Sequence, residues 1–268
     1  VFPYIHTGSK LGVLVEINCE SDFVAKTEDF LEFAKNVAMH IAAANPAGLN
    51  PEDIPEEVIA REREIYHSQA LEQGKPEKII DKIVDGQIQK FYKDSCLMSQ
   101  PYIREPKKSI ADITTEAIAK IGENIQVHRA VRYTTGDEGA VGSYLHFGGR
   151  IGVMVELLGG SGEAAQDLAR EVAMHVAASR PVGVRPDDIP EEVQERERAV
   201  LTEQTRAEGK PEQIVEKIVE GRMRKYFEQQ SLLLQAFVKD PDQTVAEFLT
   251  SQAGDVTVRR FARFEIGE

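Results

Sequence analysis

AMHIAAANP at 38–46 returns as AMHVAASRP at 173–181, a shift of 135 in a chain of 268 residues. PEDIPEEVIARER at 51–63 returns as PDDIPEEVQERER at 186–198 with 10 of 13 positions identical, and GKPEKIIDKIVDG at 74–86 returns as GKPEQIVEKIVEG at 209–221 with 9 of 13. A duplicated sequence folds twice, so two units must each bury a core, and a composition that is 41% apolar is enough for both. Upstream the shift changes: YIHTGSKLGVLVE at 4–16 aligns with YLHFGGRIGVMVE at 144–156, a shift of 140. Five residues are missing from the second copy, and they fall between Glu16 and Ala38 of the first. Where the first copy reads INCESDFVAKTEDF, the second reads LLGGSGEAA.

An isolated aromatic in a loop ordinarily packs on its own domain. Here the second copy keeps its strand, its helix and the AMH turn without any counterpart of Phe23. The fold does not require Phe23, and a role outside the fold is the expectation for it.

Within one copy, Leu11, Val13, Val15, Ile17 and Cys19 alternate on one face, the period of a half-buried strand. Thr27 is placed to cap a helix with Glu28 and Asp29 in its first turn and Phe30, Ala34, Val37, Ala38 and Ile41 as its apolar stripe, stopped by Asn45-Pro46. Pro55 near the start of one helix, Gly74 at its end and Pro76 opening the next describe a helical hairpin. Ile54, Val58 and Ile65 are expected to face Ile80, Ile83, Val84 and Ile88, along an arm of roughly 28 Å. A further helix runs from a cap at Ser109, with Asp112 three residues on, to Gly122, and leads into a strand carrying Ile125, Val127, Val131 and Tyr133 on one face. The second copy closes likewise with VTVRRFARFE. The class is α+β: two homologous subdomains, each a small antiparallel sheet with helices on one side and an inserted coiled-coil hairpin. The expected boundaries are 1–135, a Gly-rich linker at 136–143, and 144–268.

The charge balance is acidic, 45 Asp and Glu against 32 Lys and Arg, which repels phosphate backbones and anionic lipid and argues against nucleic acid as primary ligand. Arg259-Arg260 is too short for a basic stripe and is expected to be solvated on a strand. Two cysteines, Cys19 and Cys96, make no disulfide framework and no CxxC pair, so a reducing compartment is expected. No run approaches the roughly 20 apolar residues of a membrane span. A cytoplasmic protein, or one from an organelle of bacterial origin, is expected. The chain opens at Val1 without methionine, as a fragment of a longer chain would.

No GxxxxGK[ST] run is present, GGSG at 159–162 is expected to be a plain turn, and His40 and His175 recur at matching helical places without metal-spaced partners. Carboxylates on the hairpin arms describe a solvated face. No catalytic constellation, metal site or cofactor is expected.

Taken together, VEINCESDFVA, GSYLHFGGRIGV, AMHVAAS, GKPEQIVEKIVEGRM and GENIQV resemble the signatures of the elongation factor Ts family over almost the whole chain. Ser21 stands where that family's TDFV motif has threonine. The resemblance implies a guanine-nucleotide exchange factor without bond chemistry, whose partner is elongation factor Tu, GDP-bound and nucleotide-free. It implies that Ser21, Asp22, Phe23 and Val24 contact that partner, with Asp22 and Phe23 intruding at its nucleotide site, dislodging Mg²⁺ and loosening GDP. It also implies that the second unit grips a distal domain of the partner, for which His146 and Ile125 are the candidates. By the same resemblance, the family's N-terminal helical docking domain is expected to be absent. The chain reads as a covalent pseudo-dimer in which one half carries the exchange loop, and it leaves a homodimer open. The rival reading is a non-exchanging scaffold of the translation machinery that uses its two hairpins.

Overall fold

The computed structural model describes residues 1–268 and divides into two compact units, one of Val1–Tyr4 with Val13–Arg132, the other of Ile5–Gly12 with Tyr133–Glu268. The first repeat runs β1 (Phe2–Ile5), β2 (Leu11–Asn18), α1 (Glu28–Ala44), α2 (Glu56–Glu72), α3 (Glu77–Ser95), β3 (Pro101–Tyr102), β4 (Glu105–Ser109), α4 (Ile110–Ile121) and β5 (Gln126–Thr134). The second runs β6 (Gly139–His146), β7 (Ile151–Leu158), α5 (Gly162–Ser179), α6 (Glu191–Ala207), α7 (Glu212–Gln230), β8 (Ala236–Phe237), β9 (Asp240–Thr244), α8 (Val245–Ala253) and β10 (Thr257–Glu265). Mixed helices and small sheets make this an α+β fold. Of the segment 136–143, residues from Gly139 onward already lie in β6, with Ala140 and Val141 fully buried.

Each repeat places its most buried strand at the centre of a three-stranded sheet, in the orders β1-β2-β5 and β10-β7-β6. In the second unit β7 pairs antiparallel with both neighbours, from His146 opposite Ile151 to Gly139 opposite Leu158 on one side and from Glu265 to Thr257 on the other. Ile151, Val153, Val155 and Leu157 point to one face and pack with Leu168, Ala169, Val172 and Val176 of α5, so period 2 on the strand meets period 3.6 on the helix. The alternation in β2 predicts a half-buried strand. Instead both faces are covered, since Leu14 and Glu16 at the alternate positions are buried as well as Val13, Val15 and Ile17.

Burying a carboxylate requires a counter-ion, and each strand has one. Arg129 Nε lies 2.6 Å from Glu16 Oε2. In the second unit Glu156, 0% exposed, receives Arg260 Nε at 2.6 Å and Arg259 Nη1 at 3.1 Å. A register irregularity between Val258 and Arg260 inserts Arg259 as an extra residue, which lets two successive arginines reach one carboxylate. The guanidinium of Arg260 also stands 4.0 Å over the Tyr133 ring, whose hydroxyl burial pushes up to about 12. Arg259 and Arg260 keep 52% and 42% of their side chains exposed, so they are solvated on the strand as their sequence suggests, while their guanidinium groups also clamp the buried Glu156.

Thr27 caps α1 by accepting from the Phe30 N–H, and Asn45 ends the helix in the left-handed conformation at φ +48°. Ser109 and Asp112 form a reciprocal capping box on α4, which Gly122 ends at φ +83°. The hairpin seam of α2 and α3 is built from Ala70, Ile80, Val84 and Ile88, flanked by Ile59, Tyr66, Ile83 and Tyr92. Ile65 is 41% exposed and lies outside the seam. Ile59, Tyr66 and Ala70 follow a seven-then-four spacing, and position 65 is turned about 100° away from it.

Candidate functional site

The connection from β2 to α1, residues 19–27, is fastened at both ends and open in the middle. At its start the Glu123 carboxylate, just past the Gly122 helix stop, accepts three hydrogen bonds: Oε2 from the N–H groups of Glu20 (3.1 Å) and Ser21 (3.0 Å), and Oε1 from Ser21 Oγ (2.5 Å). The Glu20 carboxylate reciprocates by accepting the Asn124 N–H at 3.1 Å. Ser21 Oγ also accepts the Val24 N–H at 3.3 Å, and this bond opens the single turn Val24–Lys26. At the far end the Thr27 hydroxyl donates to the Val24 carbonyl at 2.8 Å while its N–H bonds the same oxygen. Cys19 Sγ donates to the Ser21 carbonyl, and burial, with the Glu123 charge adding to it, pushes the thiol up. The sulfur is therefore held as a thiol and serves the turn.

Between these fastenings Asp22 and Phe23 stand in solvent. Phe23 is 81% exposed, more than any other large apolar residue of the chain. Asp22 makes one exposed ion pair, 3.7 Å from Lys26 Nζ, of a kind worth little. The structure thus brings Ser21, Asp22, Phe23 and Val24 into one turn that holds a phenyl ring away from its own core.

The other candidates separate. His146 ends β6, where its Nδ1 lies 3.0 Å from the Tyr144 hydroxyl. Its neighbour Phe147 escapes sequence reasoning, yet it is 72% exposed and takes a left-handed backbone at φ +49° before Gly148 and Gly149, which also have positive φ. The His146 and Phe147 ring centroids are 3.9 Å apart, so the two rings make one aromatic tip on a tight turn. A signal was present in the repeat alignment, where YLHFGG has phenylalanine opposite Thr7 of YIHTGS. Ile125 is 3% exposed: its side chain packs inside the first unit and offers no surface for docking.

Two α+β units that share a strand–helix core and a helical hairpin, one of them carrying an exposed aromatic loop, define the class of this protein. A sequence profile described as "Elongation factor TS" matches residues 1–117 and 107–268. Elongation factor Ts of Alkalilimnicola ehrlichii is 45% identical over 257 residues, covering 96% of this chain and 69% of that protein. Elongation factor Ts of Desulfosudis oleivorans is 58% identical over 137 residues, 51% of this chain and 69% of that protein, and that of Thermoanaerobacter sp. is 53% identical over 137 residues, 51% and 67%. The chain belongs to the elongation factor Ts family, a family of translation elongation factors of protein biosynthesis. None of its helices is long and apolar enough to cross a membrane.

Proposed function

We propose that the chain is a guanine-nucleotide exchange factor for elongation factor Tu, and that the 19–27 loop is its working part. The observation that carries this reading is the exposure of Phe23 on a loop that the second repeat builds without. An aromatic held in water is unfavourable unless a partner covers it, and burying one phenyl ring contributes about 1.5–3 kcal/mol. In this reading Phe23 wedges into an apolar crevice beside the partner's Mg²⁺ and phosphate site, and Asp22 brings a negative charge to the same place. The metal contacts weaken and GDP leaves. Reciprocity then requires that GDP weaken factor binding by the same factor. The chain breaks no bond in this scheme.

The His146–Phe147 tip is the proposed second contact, on a distal domain of the partner. Docking there raises the effective concentration of Phe23 at the nucleotide site. The test is the rate of GDP release from elongation factor Tu with and without the intact chain at micromolar concentration. Acceleration is expected. Binding with an unchanged release rate would replace this reading with the scaffold one.

A further inference from the structure

We propose that Glu123 is a positioning residue, which pre-shapes the 19–27 loop so that Phe23 is offered to a partner; this rests on the exchange reading above. The largest apolar side chain of the loop, Phe23, is in solvent and cannot fix its shape, and Val24 and Ala25 are only half-buried. Polar contacts therefore carry much of its shape, and those that anchor its start to the rest of the unit converge on one carboxylate. Glu123 takes two main-chain N–H groups and the Ser21 hydroxyl, while Glu20 takes the Asn124 N–H in return. An ionised carboxylate is purely an acceptor, so three converging donors suit it and no competing donor has to be hidden.

The second unit achieves the matching junction by other means. Gly159, at φ +88°, lies so near the Asp255 main chain that a Cβ there would stand 2.6 Å from the Asp255 carbonyl oxygen. Close backbone approach closes the short turn, and a side-chain clamp closes the long one. A flexible loop that must be ordered on binding lowers apparent affinity by the fraction of time it is correctly shaped. Glu123 raises that fraction before the partner arrives.

The experiment uses the full chain as wild type, Glu123→Ala, Glu123→Gln and Phe23→Ala, with three readouts: GDP-release efficiency on elongation factor Tu, melting temperature, and hydrogen exchange of the Glu20 and Ser21 amides. Glu123→Ala is expected to lose about tenfold in efficiency. Its melting temperature should stay within about 2 °C of wild type, while both amides lose protection. Glu123→Gln should restore efficiency and protection, because its carbonyl accepts the two N–H groups and its amide donates to Ser21 Oγ. Wild-type efficiency in Glu123→Ala overturns the inference, as do equal losses in both variants, or a loss that merely follows a collapsed melting temperature. A wild-type chain that leaves GDP release unchanged is instead a failure of the exchange reading. The amide arm needs no partner, and Glu20 and Ser21 amides unprotected in the wild type, or equally protected in Glu123→Ala, overturn the clamp on their own.

Discussion

The β2–α1 and β7–α5 connections join the same two elements in two ways. The first takes residues 19–27 to pass from strand to helix and carries a phenyl ring into solvent; the second takes 159–161 and carries nothing larger than serine. On either side of this difference the repeats agree. Buried Glu16 and Glu156 have arginine partners, and buried His40 and His175 each bond a glutamine at 2.9 Å. What the units share is the machinery of folding. The long loop is surplus to it, which separates a residue's contribution to stability from its contribution to function within one chain.

The largest expected effect lies in the shared part. Glu16→Ala and Glu156→Ala each remove the buried member of an ion pair, and each should cost about 3 kcal/mol of unfolding free energy, the low end for buried pairs because the arginines keep contact with water. Denaturant unfolding checks this. A cost confined to one repeat would break the claim that the two units use one folding scheme.

Next comes the part that differs. Phe23→Ala should leave the melting temperature unchanged and slow GDP release by roughly ten- to hundredfold, the equivalent of about 1.5–3 kcal/mol at about 1.4 kcal/mol per tenfold. Replacing residues 19–27 by the Gly-Gly-Ser turn of the second unit should slow release at least as much, with the fold retained by circular dichroism. A large fall in melting temperature for Phe23→Ala would mean that the ring packs on its own unit.

Much of this was legible in the sequence because periodicity and punctuation act locally. The caps at Thr27 and Ser109, the stops at Asn45 and Gly122, and the proline-opened hairpin helices stand where their residue types place them. What pattern could not show was where an element faces. Alternation in β2 gave one buried face, yet Glu16 on the other face is buried because a distant arginine neutralises it. Ile65 had the right residue type and missed the seam by one position. Ser21, Asp22, Phe23 and Val24 are legible because the repeat supplies a control. Glu123 carries no such signal, since its importance rests on contacts about a hundred residues away along the chain, and Phe147 stands beside the more reactive-looking His146.

A smaller effect is expected at the second tip. Phe147→Thr installs the first repeat's residue and should weaken complex formation by about tenfold, the worth of one partly buried ring. The release rate at saturating factor should be unchanged, because this contact docks and does not dislodge. Titrating the factor separates the two quantities. A fall in the saturating rate would place Phe147 with Phe23 and erase the division of labour between the units.

The smallest effect returns to the shared core and depends on pH. His175 Nδ1 accepts the Val238 N–H at 3.1 Å, and His40 Nδ1 accepts the Ile103 N–H at 3.4 Å. A nitrogen that accepts carries no proton, so Nε2–H in each ring donates to Gln235 or Gln100 Oε1 at 2.9 Å. Both nitrogens are satisfied only while the ring is neutral, and burial lowers both histidines below 6.5 against the opposing pull of their glutamines. The unfolded chain therefore takes up more protons than the folded one as pH drops below 6.5. The histidine contribution is complete above that value and declines beneath it. Asp112, Glu212, Glu247 and Glu265, whose acidities are also strengthened in the fold, lose their contribution only at still lower pH, below 4.5, whereas the Val1 amino group, lowered from 8.0 by burial, declines with the same sign as pH falls below that value, so the histidine share is read from the difference between wild type and variant. Melting temperature measured between about pH 7.5 and pH 5 should fall for the wild type. The double variant His40→Asn, His175→Asn should melt lower throughout, with a flatter slope, because asparagine Oδ1 keeps the bond to the main-chain N–H without a titrating ring. An equal slope in both proteins would show that the acid sensitivity of these units arises elsewhere.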